Sequence, residues 1–165
     1  MANINRRANK MHFKYHSDHN RDDEENAIKR PRIEIAMRKS QDPIDPSTNP
    51  EFRTFGLVDS GADISFIPRS ISEILRLDLD DATIKTTESA SGEFETYRTS
   101  MYLEIIYEKQ RVGVGVIDVA VSKTDRLAKD LEKQILIGRR GLFDRYKITF
   151  NEADKTISLT RIARP

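Results

Sequence analysis

Apolar and polar residues alternate with a period of two through most of this chain, which is the signature of strands with one buried face. "RIEIAMR" sets Ile33, Ile35 and Met37 on one side, and "FRTFGLVDSG" follows as a second strand after "KSQDPIDPSTNPE", a stretch of Pro, Asp, Ser and Asn that reads as a loop. These two strands are expected to form a hairpin. "ATIKTTE" then leads through "SASGEF" into two longer alternating segments, roughly Phe94 to Glu108 and Arg111 to Val121, with Gly92 at the bend, and "KITFNEADKTISL" reads as a closing hairpin. Helical spacing is confined to two places. Ile71, Ile74 and Leu75 recur at that spacing after Pro68, and "SKTDRLAKDLEKQ" can form a surface helix with Ser122 or Thr124 as N-cap and Leu127 and Leu131 inward. Many short strands with one or two short helices predict an all-β fold closed into a small barrel.

The chain has 165 residues, the size of one domain with some spare length. Residues 1 to 30 are polar, include the acidic cluster "RDDEEN", and read as a charged, flexible arm; residues 31–165 read as the folded domain. Within the arm, "MHFKYH" alternates Met11, Phe13 and Tyr15 against His12, Lys14 and His16, which predicts an edge strand over 11–16. His12, His16 and His19 raise the question of a metal site, but i, i+4 spacing aligns ligands on a helix and this segment looks extended, so they read as exposed histidines.

Charge and composition narrow the chemistry. Lys+Arg 28 nearly cancels Asp+Glu 27, for a formal net charge of +1, so no global field draws nucleic acid or a membrane surface. Arg6, Arg7, Lys10 and Lys14 form a small basic group in the arm, partly cancelled by Asp22 to Glu25, and neither a nucleic-acid nor a membrane partner is expected. With no cysteines there is neither a disulfide framework nor a thiolate nucleophile, so any catalysis uses oxygen or nitrogen groups. No run is long enough for a signal peptide or a bilayer span, and the expected location is cytoplasmic.

"LVDSGADISFIP" is the stretch that asks for explanation, because an apolar strand delivers an acid, Asp59, into a setting where carboxylates are rare. Asp, Ser and Gly are all turn residues, so the tripeptide alone reads first as an ordinary strand-end turn. Some seventy-five residues later, "ILIGRRG" again ends an apolar strand on glycine, Gly138, followed by Arg139. With both motifs, and a glycine-bearing hairpin between them, the chain from Arg32 to Ile162 resembles the retropepsin-like, retroviral-type aspartic proteases.

That resemblance implies a retropepsin-like barrel with one lobe per chain. It makes Asp59 the catalytic aspartate, with Ser60 and Gly61 completing the triplet and Ser60 bracing the two active-site loops across a dimer axis. Ala62 and Asp63 would line the substrate cleft, Asp63 would pair with Arg139, and Gly138 would permit close packing behind the loop. Ser89, Ala90, Ser91 and Gly92 would form the tip of a substrate-covering flap, although family flaps carry several glycines and this one has only Gly92. The family's reaction needs two carboxylates sharing a proton, and this chain holds a single Asp-Ser-Gly. The second must then come from Asp59 of another copy, so the resemblance implies a homodimeric endopeptidase acting on peptide or protein substrates, with neither metal nor organic cofactor. "TISLTRI" and "MHFKYH" are the strands expected to mix at the dimer interface. The alternative is the same dimeric fold used as a peptide-binding module with weak or no hydrolysis.

Overall fold

Residues 10–17, 28–89, 92–124 and 135–163 are described by a computed structural model. The expected helix over residues 122–134 and the arm residues 1–9 and 18–27 fall largely or wholly outside them. The strands are β1 (Lys10–Lys14), β2 (His16–Ser17), β3 (Lys29–Arg30), β4 (Arg32–Arg38), β5 (Glu51–Val58), β6 (Ser65–Ile67), β7 (Thr83–Ser89), β8 (Gly92–Tyr107), β9 (Gln110–Ser122), β10 (Leu136–Ile137), β11 (Tyr146–Asn151) and β12 (Thr156–Arg161). Two short helical turns, α1 (Arg69–Ile74) and α2 (Arg139–Leu142), complete the described elements.

Seven strands form one sheet in the order β4-β5-β10-β6-β9-β8-β7, and a further antiparallel pairing of β4 with β8 closes six of them into a barrel. Closure explains the strict alternation in sequence, because every second residue of each strand must fill the interior. Ile33, Ile35 and Met37 from β4, Met101, Leu103 and Ile105 from β8, and Ile117, Val119 and Val121 from β9 meet in one core. Where β8 and β9 pair, Leu103 faces Gly115 and Glu104 faces Gly113, so β9 carries one extra residue, Val114, in a bulge that bends the ribbon. The hairpin expected from "RIEIAMR" and "FRTFGLV" is present, with Arg32 opposite Leu57 and Arg38 opposite Glu51. Its loop is ordered by buried Asn49, whose side-chain amide donates to the carbonyls of Asp42 at 2.8 Å and Pro43 at 3.3 Å.

A second sheet, β1-β12-β11, packs Met11, Tyr146, Ile157 and Leu159 onto the same core. β12 is its central strand, paired antiparallel with β11 on one edge and with β1 on the other. This corrects the expectation that "TISLTRI" lends an edge to a second copy, since its own chain fills both edges. In α1, Ile71 and Leu75 are buried while Ile74 is 46% exposed, so only the i, i+4 pair of the expected apolar triplet faces inward. Among the described residues no helix is long and apolar enough to cross a membrane.

Candidate active site

β5 carries the chain to Asp59 under tight control. The parallel register of β10 with β5 sets Leu136 beside Leu57 and Ile137 beside Val58. The Val58 N–H donates to Pro31 O at 2.9 Å, and the Asp59 N–H donates to Ile137 O at 3.0 Å. There the ladder ends and the chain turns. Asp59 Oδ1 accepts the Gly61 N–H at 2.8 Å, and the Asp59 carbonyl accepts the Ala62 N–H at 3.4 Å. The carboxylate therefore folds back on its own turn through one oxygen. Its other oxygen has no hydrogen-bond partner among the described residues, and the side chain is half-buried. Ser60 is exposed beside it.

Behind this loop lies the second motif. A Cβ at Gly138 would stand 2.5 Å from Ile64 C, 2.6 Å from Ile64 O and 2.9 Å from Ala62 O, so the backbones touch where only glycine fits. The Gly138 N–H donates to the hydroxyl of fully buried Ser65 at 3.1 Å. Beyond it, the Arg139 N–H donates to Ala62 O at 2.8 Å and the Arg140 N–H to Asp63 O at 3.0 Å. Ser65 was not singled out in the sequence; its only signal was a small polar residue inside the apolar run "ISFI".

The Arg139 guanidinium pairs with the Asp63 carboxylate, and that hydrogen bond with the nearby positive charge holds the Asp63 carboxyl below the usual carboxylate range. The pair expected between them is present, but it is exposed. A single guanidinium nitrogen makes the contact, and the side chains are 57% and 69% exposed. Water screens such a pair, so the backbone bonds and the Gly138 contact are what fasten the two motifs together.

β7 and β8 form a hairpin that ends at the pair Ser89 and Gly92, with Gly92 at φ +113° in open space. Ala90 and Ser91 lie outside the described residues. The hairpin is braced by a polar file on one face: Thr87 and Thr96 share a hydroxyl hydrogen bond of 2.8 Å, and Arg98 donates to Thr87 Oγ1 at 3.1 Å. On the same face Phe94, directly opposite Thr87, meets Phe66 of β6 edge-on at 5.8 Å, tying the hairpin to the strand that leaves the Asp59 loop. Between hairpin and loop is an open cleft of about 590 Å³. Asp63 and Arg140 line it from the loop, and Lys85, Arg98 and Asp118 from the hairpin and β9. Asp59, four residues before Asp63 on the same loop, does not line it. The structure thus gathers Asp59, Gly61, Ala62, Asp63, Gly138 and Arg139 into one knot, with Ser89 and Gly92 at the far end of a separate hairpin. Among the described residues no group of three or more His, Asp or Glu side chains is arranged to hold a metal ion.

No family model matches the sequence, and no curated protein matches it either. Solved structures do. A retropepsin-like aspartic protease from Rickettsia conorii aligns over 94% of this chain and 93% of its own, with a TM-score of 0.53 and 14% identity. EIAV protease in complex with an inhibitor aligns over 67% of this chain and 83% of its own, at 18% identity and a TM-score of 0.38. The retroviral protease-like domain of Ddi1 from Leishmania major aligns over 82% and 97%, at 12% identity and a TM-score of 0.42. The first of these, matched nearly end to end, establishes that the chain has the retropepsin-like fold.

Proposed function

We propose that this chain is an aspartic endopeptidase whose active site is completed when two copies bring their Asp59 carboxylates together on a two-fold axis. The observation that carries this reading is the state of Asp59 itself. A rigid strand delivers it, a backbone N–H fixes one carboxylate oxygen, and the second motif packs behind it with no room for a side chain. An ordinary surface turn does not need that support.

In this reading the two facing carboxylates cannot both ionise, so they share a proton. The ionised one takes a proton from a water that attacks the scissile carbonyl, and the protonated one donates to the carbonyl oxygen. Collapse of the tetrahedral intermediate passes a proton to the leaving nitrogen. Because β12 is flanked on both edges by its own chain, the second copy would dock through other surfaces, with the exposed Ser60 hydroxyls near the axis.

Asp59→Asn tests the proposal. Asn keeps an Oδ1 acceptor for the Gly61 N–H, so the loop and the fold are expected to persist. Peptide cleavage should fall by at least about 10²–10⁴-fold. Parental cleavage rates in this variant would refute the assignment. A second reading, peptide binding without hydrolysis, draws on the outer edge of β7, which is unpaired among the described residues and can accept a strand. Saturable peptide binding with no cleavage at any pH would select it.

A further inference from the structure

We infer that the cleft lined by Asp63, on the Asp59 loop, is a subsite for an acidic side chain of an extended peptide. This rests on the peptidase reading and names the substrate class it prefers. Lys85, Arg98 and Arg140 converge on the cleft from two different segments of the barrel, and Asp63 and Asp118 are the acids that share it. Asp63 is already neutralised by Arg139. Neither Lys85 nor Arg140 has an ion-pair partner among the described residues. Asp118, opposite Ser100 across the β8–β9 ladder, is the one uncompensated acid, so three cations outnumber it.

Arg98 supplies a second, independent observation. Its Nη2 donates to Thr87 Oγ1, which already shares a hydrogen bond with Thr96, so Arg98 is held against a hydroxyl file rather than a carboxylate. Its Nε is buried with no acceptor. A guanidinium fixed this way, with donors to spare, matches the planar acceptor geometry of a carboxylate. The cleft begins at Asp63 and not at Asp59, so the acidic residue would flank the scissile bond instead of forming it, at a spacing of roughly 3.3 Å per extended residue.

The test is a scan in which Glu replaces Gln, one position at a time, through an otherwise neutral peptide that the full-length protein is incubated with. At one flanking position Glu should raise kcat/KM by about tenfold over Gln, and the advantage should shrink as salt rises. In Lys85→Glu/Arg140→Glu, both side chains being exposed, the ratio of Glu to Gln peptide should fall to near one or below. Cleavage with no Glu preference anywhere would overturn the inference while leaving the peptidase reading intact. The same peptides, fluorescently labelled, are titrated into Asp59→Asn and followed by anisotropy. If nothing is cleaved but the Glu peptide binds preferentially, the peptidase reading fails and the subsite stands; if neither peptide binds, the subsite is refuted.

Discussion

Gly138→Ala is the sharpest test of how the two motifs are held together. At φ −81° and ψ −179°, Gly138 sits in extended backbone that alanine adopts freely, so any cost is steric and not conformational. The added methyl would lie 2.5 Å from Ile64 C and 2.6 Å from Ile64 O, and main chain cannot swing aside as a side-chain tip can. Relief requires parting the two segments, which strains the Arg139 to Ala62 and Arg140 to Asp63 hydrogen bonds of 2.8 and 3.0 Å. Overpacking alone costs about 1–3 kcal/mol, and each weakened backbone bond adds roughly 0.5–1.5 kcal/mol. A loss of about 3 kcal/mol is expected, or roughly 6–12 °C in Tm for a chain of this size. Urea unfolding followed by far-UV circular dichroism measures it. Gly92→Ala is the control, since its added methyl meets nothing within 4 Å and only the positive φ is unfavourable. That should cost only about 1 kcal/mol. If Gly138→Ala unfolds within 0.5 kcal/mol of the parent, where no loss beyond the usual scatter of a surface change is seen, the close approach does not fasten the loop.

Three further outcomes follow from groups outside the site. Glu104 is buried between Arg38 at 3.2 Å and Arg111 at 2.8 Å; Glu104→Ala leaves the nearly buried Arg38 without its counter-charge and should cost about 3 kcal/mol in urea unfolding, so a loss under about 1 kcal/mol would contradict the account. The Arg111 hydrogen bond holds Glu51 below its ordinary value of 4.5, so its stabilisation is complete above that pH and drains away as pH falls through the lowered native value. Glu51→Gln should therefore flatten the acid side of the stability profile below about pH 4.5, and an unchanged acid slope would contradict this. Burial, reinforced by the bond to Glu152 Oε1 at 2.9 Å, pushes the Tyr15 hydroxyl up to about 12. Its contribution is complete below the free tyrosine value of 10.0 and fades as pH rises toward 12, so ultraviolet titration should show one late tyrosine that Tyr15→Phe removes.

The barrel strands were legible because closure forces a period of two, and Ile33, Ile35 and Met37 declare it without ambiguity. β10 was legible as the apolar strand that ends on Gly138, but its place in the sheet was not. Two residues, Leu136 and Ile137, carry no period, yet they slot between β5 and β6 and set the register of the Asp59 loop. The expectation for Gly138 rested on its place in a motif, and the contact with Ile64 and Ala62 gives it a steric reason. The charged residues inside strands carried no sequence signal of their partners. Cross-strand pairing brings Arg38, Glu51, Glu104 and Arg111 into one network that no single segment reveals. The fate of β12 was equally hidden, because alternation shows that a strand has a buried face and says nothing about which neighbours occupy its edges.

Among the described residues β7 ends the large sheet, with β8 as its one neighbour. The other strands each have two neighbours, although β5 meets β10 only at Leu57 and Val58 and β9 meets β6 only at Val119 to Val121, so β7 offers a strand from another molecule an open edge along its whole length. Lys85 and Glu88, both exposed on this strand, interrupt what would otherwise be a sticky threonine ribbon. Concentrated solutions of the protein should thus owe their colloidal behaviour to a few charges on one hairpin, and substitutions that make it more apolar should be limited first by aggregation rather than by folding.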